Sequence, residues 1–306
     1  MRACMSGSDR IPAAIGLRLL SVGLFGLMNA AIKLAEAAGA TLAEVLFFRQ
    51  FGAALLITAV IAAGPGLGSV RTSRMSAHVL RAVVGLAAMG CFFSAIMALP
   101  LAESTAIGFT IPIFATVLGA LVLKEPTGPW RWGAVLAGFA GVLIVTRPGT
   151  GGLPLWGASV GLLGSFLTAN VSVLLRRMGR TESTGTTVFW FSVLSLPPLA
   201  LFYLFAAQPH PPLTWVWLLG IGFLGGAAQF AMTGSLRLGP VSVVVPMDYS
   251  SLLWAVALGW LLFDALPAPA TWAGAPVIIA SGLVIVWRER VRHREATRQA
   301  MGEPAG

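Results

Sequence analysis

Residues 21–26 read SVGLFG and residues 159–164 read SVGLLG, five of six positions agreeing at an offset of 138. Small and apolar residues recur by chance in a chain this biased, so the test is whether the flanking sequence repeats with it. GLAAMGCFFSAIMALPL (85–101) aligns with GFLGGAAQFAMTGSLRL (222–238) at an offset of 137, matching Gly85 with Gly222, Phe93 with Phe230, Leu99 with Leu236 and Leu101 with Leu238. WRWGAVLAGFAGVLIV (130–145) aligns with ATWAGAPVIIASGLVIV (270–286) at an offset of 141; Gly133 and Gly141 stand eight apart, as do Gly274 and Gly282. Three neighbouring offsets describe one duplicated unit with small insertions.

Composition says what medium this unit folds in. Of 306 residues, 57% are hydrophobic and 10% are charged, against about 25% charged in a soluble domain. So few charges could not cover a water-exposed surface, and the chain is an all-α integral membrane protein. A spanning helix takes roughly 20 mostly apolar residues. Ten such stretches are predicted near 12–36, 41–63, 75–99, 101–123, 128–147, 153–176, 185–206, 213–236, 239–263 and 268–288. The connections EAAGA, LPLAE, KEPTG and PGTGG leave no room for a soluble domain. Five spans per unit is an odd number, so the two copies cross the bilayer in opposite directions, as two inverted-topology repeats. The expected organisation is a cytoplasmic N-terminal tail (1–11), a first repeat (12–147), a second repeat (153–288) and a basic cytoplasmic C-terminal tail (289–306).

Orientation follows from the cations, because translocating Lys and Arg is disfavoured. With the N-terminus in the cytoplasm, that side receives sixteen: Arg2, Arg10, Arg71, Arg74, Arg81, Lys124, Arg131, Arg176, Arg177, Arg180, Arg237, Arg288, Arg290, Arg292, Arg294 and Arg298. The outer side receives two, Lys33 and Arg147, while Arg18 and Arg49 fall inside spans. Both termini are therefore expected in the cytoplasm of a cell bounded by a bacterial-type inner membrane. The net charge of +9 reflects topology and gives no reason to expect nucleic acid as a partner. The tail WRERVRHREATRQ (287–299) would face anionic lipid as a stop-transfer anchor, otherwise disordered. The first span, with Arg18 and Lys33 inside it, is too long for a signal peptide. Cys4 and Cys91 give no disulfide framework.

An enzyme would need paired acids, a metal cluster or a nucleophile with its base. The three histidines, His78, His210 and His293, sit at loops or in the tail, and no phosphate-cradling glycine motif is present. Neither cofactor nor metal is expected, and any energy source is a gradient. Duplicated inverted bundles place a substrate site near the midplane between the repeats and expose it to one side at a time. A carrier is the leading reading, ahead of a channel or scaffold, and a monomer suffices for it.

The chain resembles the drug/metabolite transporter superfamily with two EamA-type repeats. The resemblance rests on VLFFRQFGAALL (45–56), on LPLAESTAIGFTIPIFATVLGALVLKEPTGPWRWGAVLAGFAGVLIVTRPG (99–149) and on VVVPMDYSSLLWAVALGWLLFDALP (243–267). The second stretch has the family's proline in the fourth span and its acidic residue closing that span, Glu125; the third carries Asp264 where Glu is usual. The resemblance implies a ten-helix bundle moving small metabolites. Amino-acid exporters of the YddG type are one such branch, and MDYSSLLWA (247–255) also looks like carriers that take up S-adenosylmethionine. Amino acids or related amines are the expected substrates, exported or exchanged.

Polar residues at depth are costly in lipid and usually face the bundle interior. Asp248 lies about nine residues, roughly 14 Å, into the ninth span, and Arg49 about eight residues, roughly 12 Å, into the second. An ionised Asp248 needs a partner: Arg49, a substrate ammonium or a proton, the ammonium being favoured. Arg49 is otherwise a structural or coupling charge. Tyr249, Asn29, Ser94 and Gln229 could add hydrogen bonds to a substrate, and Trp190, Trp254 and Phe93 could supply apolar or cation–π walls. Pro112 and Pro246 stand in corresponding regions of the two repeats, where they are expected to kink the fourth and ninth spans beside a cavity. The many glycines (36) are expected to serve close helix packing.

Overall fold

The computed structural model describes residues 11–122, 129–147, 153–178, 181–238 and 245–300. Among them, every predicted span is present: α1 (Ile11–Ala37), α2 (Leu42–Ala63), α3 (Met75–Ala98), α4 (Leu101–Gly108), α5 (Ile111–Val122), α6 (Pro129–Thr146), α7 (Leu155–Met178), α8 (Thr184–Ala206), α9 (Pro212–Leu238), α10 (Ser251–Phe263) and α11 (Pro269–Ala300). Eight of the segments are long and apolar enough to cross a bilayer, with two shorter apolar helices, Trp132–Thr146 and Met247–Phe263. Leu204 and Phe205 near the end of α8, and Leu253 on α10, lie 73% or more exposed. These are lipid-facing positions, so the helices are apolar on both faces, as burial in a bilayer requires. Glu125 and Cys4 lie outside the described residues, as does most of the N-terminal tail.

The packing has the symmetry that the repeat predicts. α1 lies along α9, and α7, its counterpart, lies along α3. α2 touches both α8 and α9, while α8 touches α2 and α3. The pairs α2–α8, α4–α10 and α6–α11 join counterparts directly. The paired hexapeptides now have a reason: Gly23 and Gly26 seat the ring of Trp254 on α10, and Gly161 seats Ile107 on α4. In each copy a small residue of the first span admits a side chain from the other repeat. The α6–α11 crossing is reciprocal, a Cβ on Gly141 meeting the carbonyl of Gly274 at 3.0 Å and a Cβ on Gly274 meeting the carbonyl of Gly141 at 2.7 Å. Gly133 has open space around it and Gly282 makes room for the Tyr249 hydroxyl, so the eight-residue spacing is not one packing motif.

The fourth span is broken rather than kinked. α4 stops at Gly108 and α5 starts at Ile111, which places Pro112 in the first turn of a new helix, where its missing N–H is no loss. The carbonyl of Ile107, freed at the break, accepts from Thr110 N–H, Thr110 Oγ1 (2.7 Å) and Ser165 Oγ (3.2 Å). The break is thus satisfied by protein rather than by a cavity. In the ninth span a 3₁₀ turn, Val245–Ser250, precedes α10, and Pro246 is its second residue. α10 ends at Asp264 in the left-handed region (φ 48°), with Ala265 N–H reaching back to Gly259 O at 3.0 Å. That closure needs a positive φ, which Asp tolerates better than most residues.

One expectation fails in the tail. The segment after residue 288 continues α11 to Ala300 instead of being irregular. Arg, Glu and Ala are strong helix formers, and a helix already nucleated in the bilayer extends into them without a new nucleus.

Candidate functional site

The end of the bundle where α1 begins and α11 finishes is its terminal end, and the opposite one is its far end. Asp248, on the 3₁₀ turn, faces Arg18 of α1: Arg18 Nε donates to Oδ1 and Nη2 to Oδ2, a side-on pair 230 residues apart. Of the partners the sequence offers Asp248, Arg49 is replaced by Arg18. Arg18 is seven residues into α1, about 10 Å at 1.5 Å per residue, and its side chain is 9% exposed. The bidentate geometry is the form in which a guanidinium meets a carboxylate best. The pair binds the first repeat to the second near the terminal end.

Arg49 sits seven residues in from the far end of α2, about 10 Å. Its Nη1 donates to the neighbouring Gln50 Oε1 at 2.7 Å, and Gln50 Nε2 donates to Phe191 O of α8 at 3.4 Å. The same Phe191 ring carries the guanidinium of Arg81, from α3, 4.1 Å above its centroid. Arg81 lies six residues in from the terminal end of α3, so it is no juxtamembrane anchor, which is how the charge count placed it. Its Nη1 runs over Gly85, one turn deeper, and a Cβ there would strike that nitrogen and stand 2.8 Å from Phe191 Cε2. Arg49 likewise lies over a glycine: a Cβ on Gly225 of α9 would stand 3.6 Å from Arg49 Nε. Arg49 Nε, Arg81 Nε and Arg81 Nη1 are buried with no hydrogen-bond partner among the described residues. Two guanidinium groups from the first repeat thus converge on walls from the second.

The other candidates divide. Tyr249 is half-buried and packs edge-on to Phe109, 5.0 Å between centroids, against Gly282. Trp254 is filled in against Gly23 and Gly26, and Phe93 is buried in the α1–α3–α9 core; both are packing residues. Trp190 belongs to the terminal end, its Nε1 donating to Val70 O at 2.8 Å. Asn29 keeps a buried Oδ1 with no partner among the described residues, while Ser94 and Gln229 are half-buried on α3 and α9. Tyr249, Trp254, Phe93 and Trp190 are thus each held in a contact of their own. The sequence reading missed Arg81 and Gln50; the available signal was that Arg81 stands inside a predicted span.

At each end a carboxylate of one repeat clasps a loop of the other. At the far end Glu44 Oε1, fully buried, accepts from Gln208 N–H at 3.0 Å and pairs with His210 Nε2 at 2.8 Å. Glu103 Oε1 accepts from Ala268 N–H at 3.0 Å and Thr271 Oγ1 at 2.9 Å. At the terminal end Glu182, just before α8, accepts from Thr72 Oγ1 at 2.7 Å and faces His78 Nε2 at 3.6 Å. Glu44 and Glu182 hold equivalent places, each at the start of the second span of its repeat, each holding the loop or first turn that leads into the other repeat's third span. Each histidine also lies beside a tryptophan, His210 by Trp215 and His78 by Trp190. Lys33 closes the last turn of α3, donating to Leu99 O at 2.9 Å and to the carbonyls of Ile96 and Met97.

Residues 12–147 and 155–287 each match the EamA-like transporter family. A riboflavin transporter of Rhizobium johnstonii is 30% identical over 251 residues, covering 81% of this chain and 82% of that protein. A riboflavin transporter of Vibrio cholerae is 28% identical over 290 residues, covering 93% and 97%. The pseudopaline exporter CntI of Pseudomonas aeruginosa is 28% identical over 282 residues, covering 90% and 97%. A solved crystal structure shares the fold at a TM-score of 0.61 and 18% identity, covering 91% of this chain and 98% of its own.

Proposed function

The chain belongs to the EamA-like transporter family, and on that premise we propose that it carries a small polar metabolite across the inner membrane by rocking one repeat against the other. It is a transporter and not an enzyme, in keeping with its relatives. The observation that carries the rocking mechanism is the matched pair of clasps. Glu44 at one end and Glu182 at the other each tie the first repeat to the second. A carrier that opens its centre to one side at a time must release the ties at that side and keep those at the other. A carboxylate tie at each end, in places exchanged by the repeat symmetry, is what such a cycle needs. A channel has no use for two of them.

Amino acids are the first substrate class in this proposal. Riboflavin and pseudopaline, the substrates in the relatives' names, are the next. Both termini would face the cytoplasm, on the sixteen-to-two division of cations. The test is counterflow in liposomes: vesicles loaded with unlabelled substrate should accumulate labelled substrate transiently above its external concentration. Flux that rises linearly with concentration and gains nothing from internal substrate would mark a channel and overturn the reading.

A further inference from the structure

We infer that Arg49 and Arg81 together form an oxyanion site between the repeats, and that the substrate is a metabolite bearing a carboxylate. The inference rests on the carrier reading above and names the substrate's chemistry. A guanidinium keeps its proton under all physiological conditions, so neither arginine can escape the cost of burial by neutralising itself. Among the described residues no carboxylate lies within ion-pair distance of either; the ion pairs there join Arg18 to Asp248, His78 to Glu182 and His210 to Glu44. The compensation each does receive is partial: Gln50 Oε1 for one nitrogen of Arg49, and the ring face of Phe191 for Arg81. Three of their donor nitrogens stay buried and unpartnered. An oxyanion set against both would meet the orphaned donors.

The placement suits a carrier's substrate better than a structural anion. Both arginines come from the first repeat, on α2 and α3, while Phe191 and Gly225 come from the second, on α8 and α9. Rocking would part the cations from those walls, so the anion is held differently in each conformation. Gly85 and Gly225 let the two guanidinium groups lie close against α3 and α9: a Cβ on Gly85 would strike Arg81 Nη1, and one on Gly225 would stand 3.6 Å from Arg49 Nε. Asp248 cannot answer this site because Arg18 already takes both of its oxygens.

The test measures binding to the purified full-length protein and exchange in liposomes, side by side. The probes are matched pairs: L-phenylalanine, L-glutamate and citrate, each with its fully methylated ester, and L-phenylalanine also with its decarboxylated amine. Riboflavin, which has no carboxylate, and inorganic phosphate complete the set. At least one acid should bind, and its ester and amine should bind about 10- to 100-fold more weakly, the loss expected for one charge-assisted bond left unmade. Arg49→Gln and Arg81→Gln should each weaken that acid by a similar factor. Their melting temperatures without ligand should equal or exceed that of the wild type, because each removes an unpaired buried charge. Arg81→Lys, which keeps the charge, should retain part of the affinity. No binding by any acid, equal binding of an acid and its ester, or variants that melt lower yet bind normally would each overturn the inference. Phosphate binding tighter than every acid would overturn the carboxylate assignment. Riboflavin exchange that Arg81→Gln leaves intact would overturn the site and keep the carrier. An acid that binds through the arginines but never exchanges would keep the site and overturn the carrier.

Discussion

Replacing Asp248 with Asn should cost more stability than replacing its partner Arg18 with Gln, although both remove the same ion pair. The Arg18 side chain is 9% exposed and that of Asp248 is 40% exposed. Losing one member of a fully buried pair costs about 3–5 kcal/mol, mainly because the other is stranded. Losing one member of a surface pair costs about 0–1 kcal/mol. Asp248→Asn leaves the buried guanidinium, whose Nη1 already lacks a partner among the described residues; a cost of about 2–3 kcal/mol is expected, below the buried limit because the site is partly open. Arg18→Gln leaves a carboxylate that can hydrate or take a proton, and about 1 kcal/mol is expected. The double variant should fall short of the sum by about 1–2 kcal/mol, the coupling of residues in direct contact. Unfolding in mixed micelles of increasing SDS fraction, followed by tryptophan fluorescence, gives all four corners of the cycle. A larger loss for Arg18→Gln, or a coupling under about 0.5 kcal/mol, would refute the assignment of Arg18 as the buried and dependent member.

Where helix backbones touch, Gly52→Ala and Gly222→Ala should each destabilise by about 1–3 kcal/mol through overpacking, since a Cβ on either would lie 2.5 Å from the backbone of the other helix. Gly16→Ala, with open space around it, should stay within about 0.5 kcal/mol, and melting temperatures compare the three. The clasps should act oppositely: with Cys4 and Cys91 replaced by Ser, Glu44→Gln should raise labelling of Ser94→Cys by an impermeant maleimide from the far side, and Glu182→Gln should not. A shift of about 5- to 30-fold corresponds to one lost charge-assisted tie; equal labelling in both would remove the clasps from the cycle. Reporter fusions at 68–74 and 178–183 should give cytoplasmic signals and those at 208–212 external ones, a cytoplasmic signal at 208–212 being incompatible with the orientation.

The spans were legible because each is an apolar run bounded by charge or by turn residues, and a bilayer makes length itself a signal. The duplication was legible because matched glycines and aromatics survive at nearly constant offset. Facing was not. In a soluble helix the polar stripe tells which side is out, but here Phe93 is 4% exposed and Trp260 is 55% exposed, although both are apolar and both lie in spans. Nothing local separates a lipid-facing ring from a packed one. The same holds for charge partners. Arg18 and Asp248 are 230 residues apart and meet because α1 packs against the 3₁₀ turn; depth counting favoured Arg49 because it too lies well inside a span. Arg81 was counted as an anchor because it follows a loop rich in arginine, and only the path of its side chain over Gly85 places it at the site.

The repeat symmetry also explains why the substrate site is absent from the repeat signal. Gly85 and Gly222 correspond at the offset of 137, and both stand where a third span approaches a second span of the other repeat. At Gly222 the backbones touch, a Cβ there lying 2.5 Å from Phe48 O. At Gly85 the equivalent space holds the guanidinium of Arg81 and the ring of Phe191 instead. The second repeat has Leu218 four residues before Gly222, fully buried, where the first has Arg81 four residues before Gly85. Ends that must do the same work on opposite sides of a membrane stay alike, as Glu44 and Glu182 do with their histidines. A centre that holds one asymmetric molecule has no such constraint, because one copy of the unit can supply the cations while the other supplies the wall. The divergence at Arg81 and Leu218 falls where the duplicated unit stops serving packing and starts serving recognition.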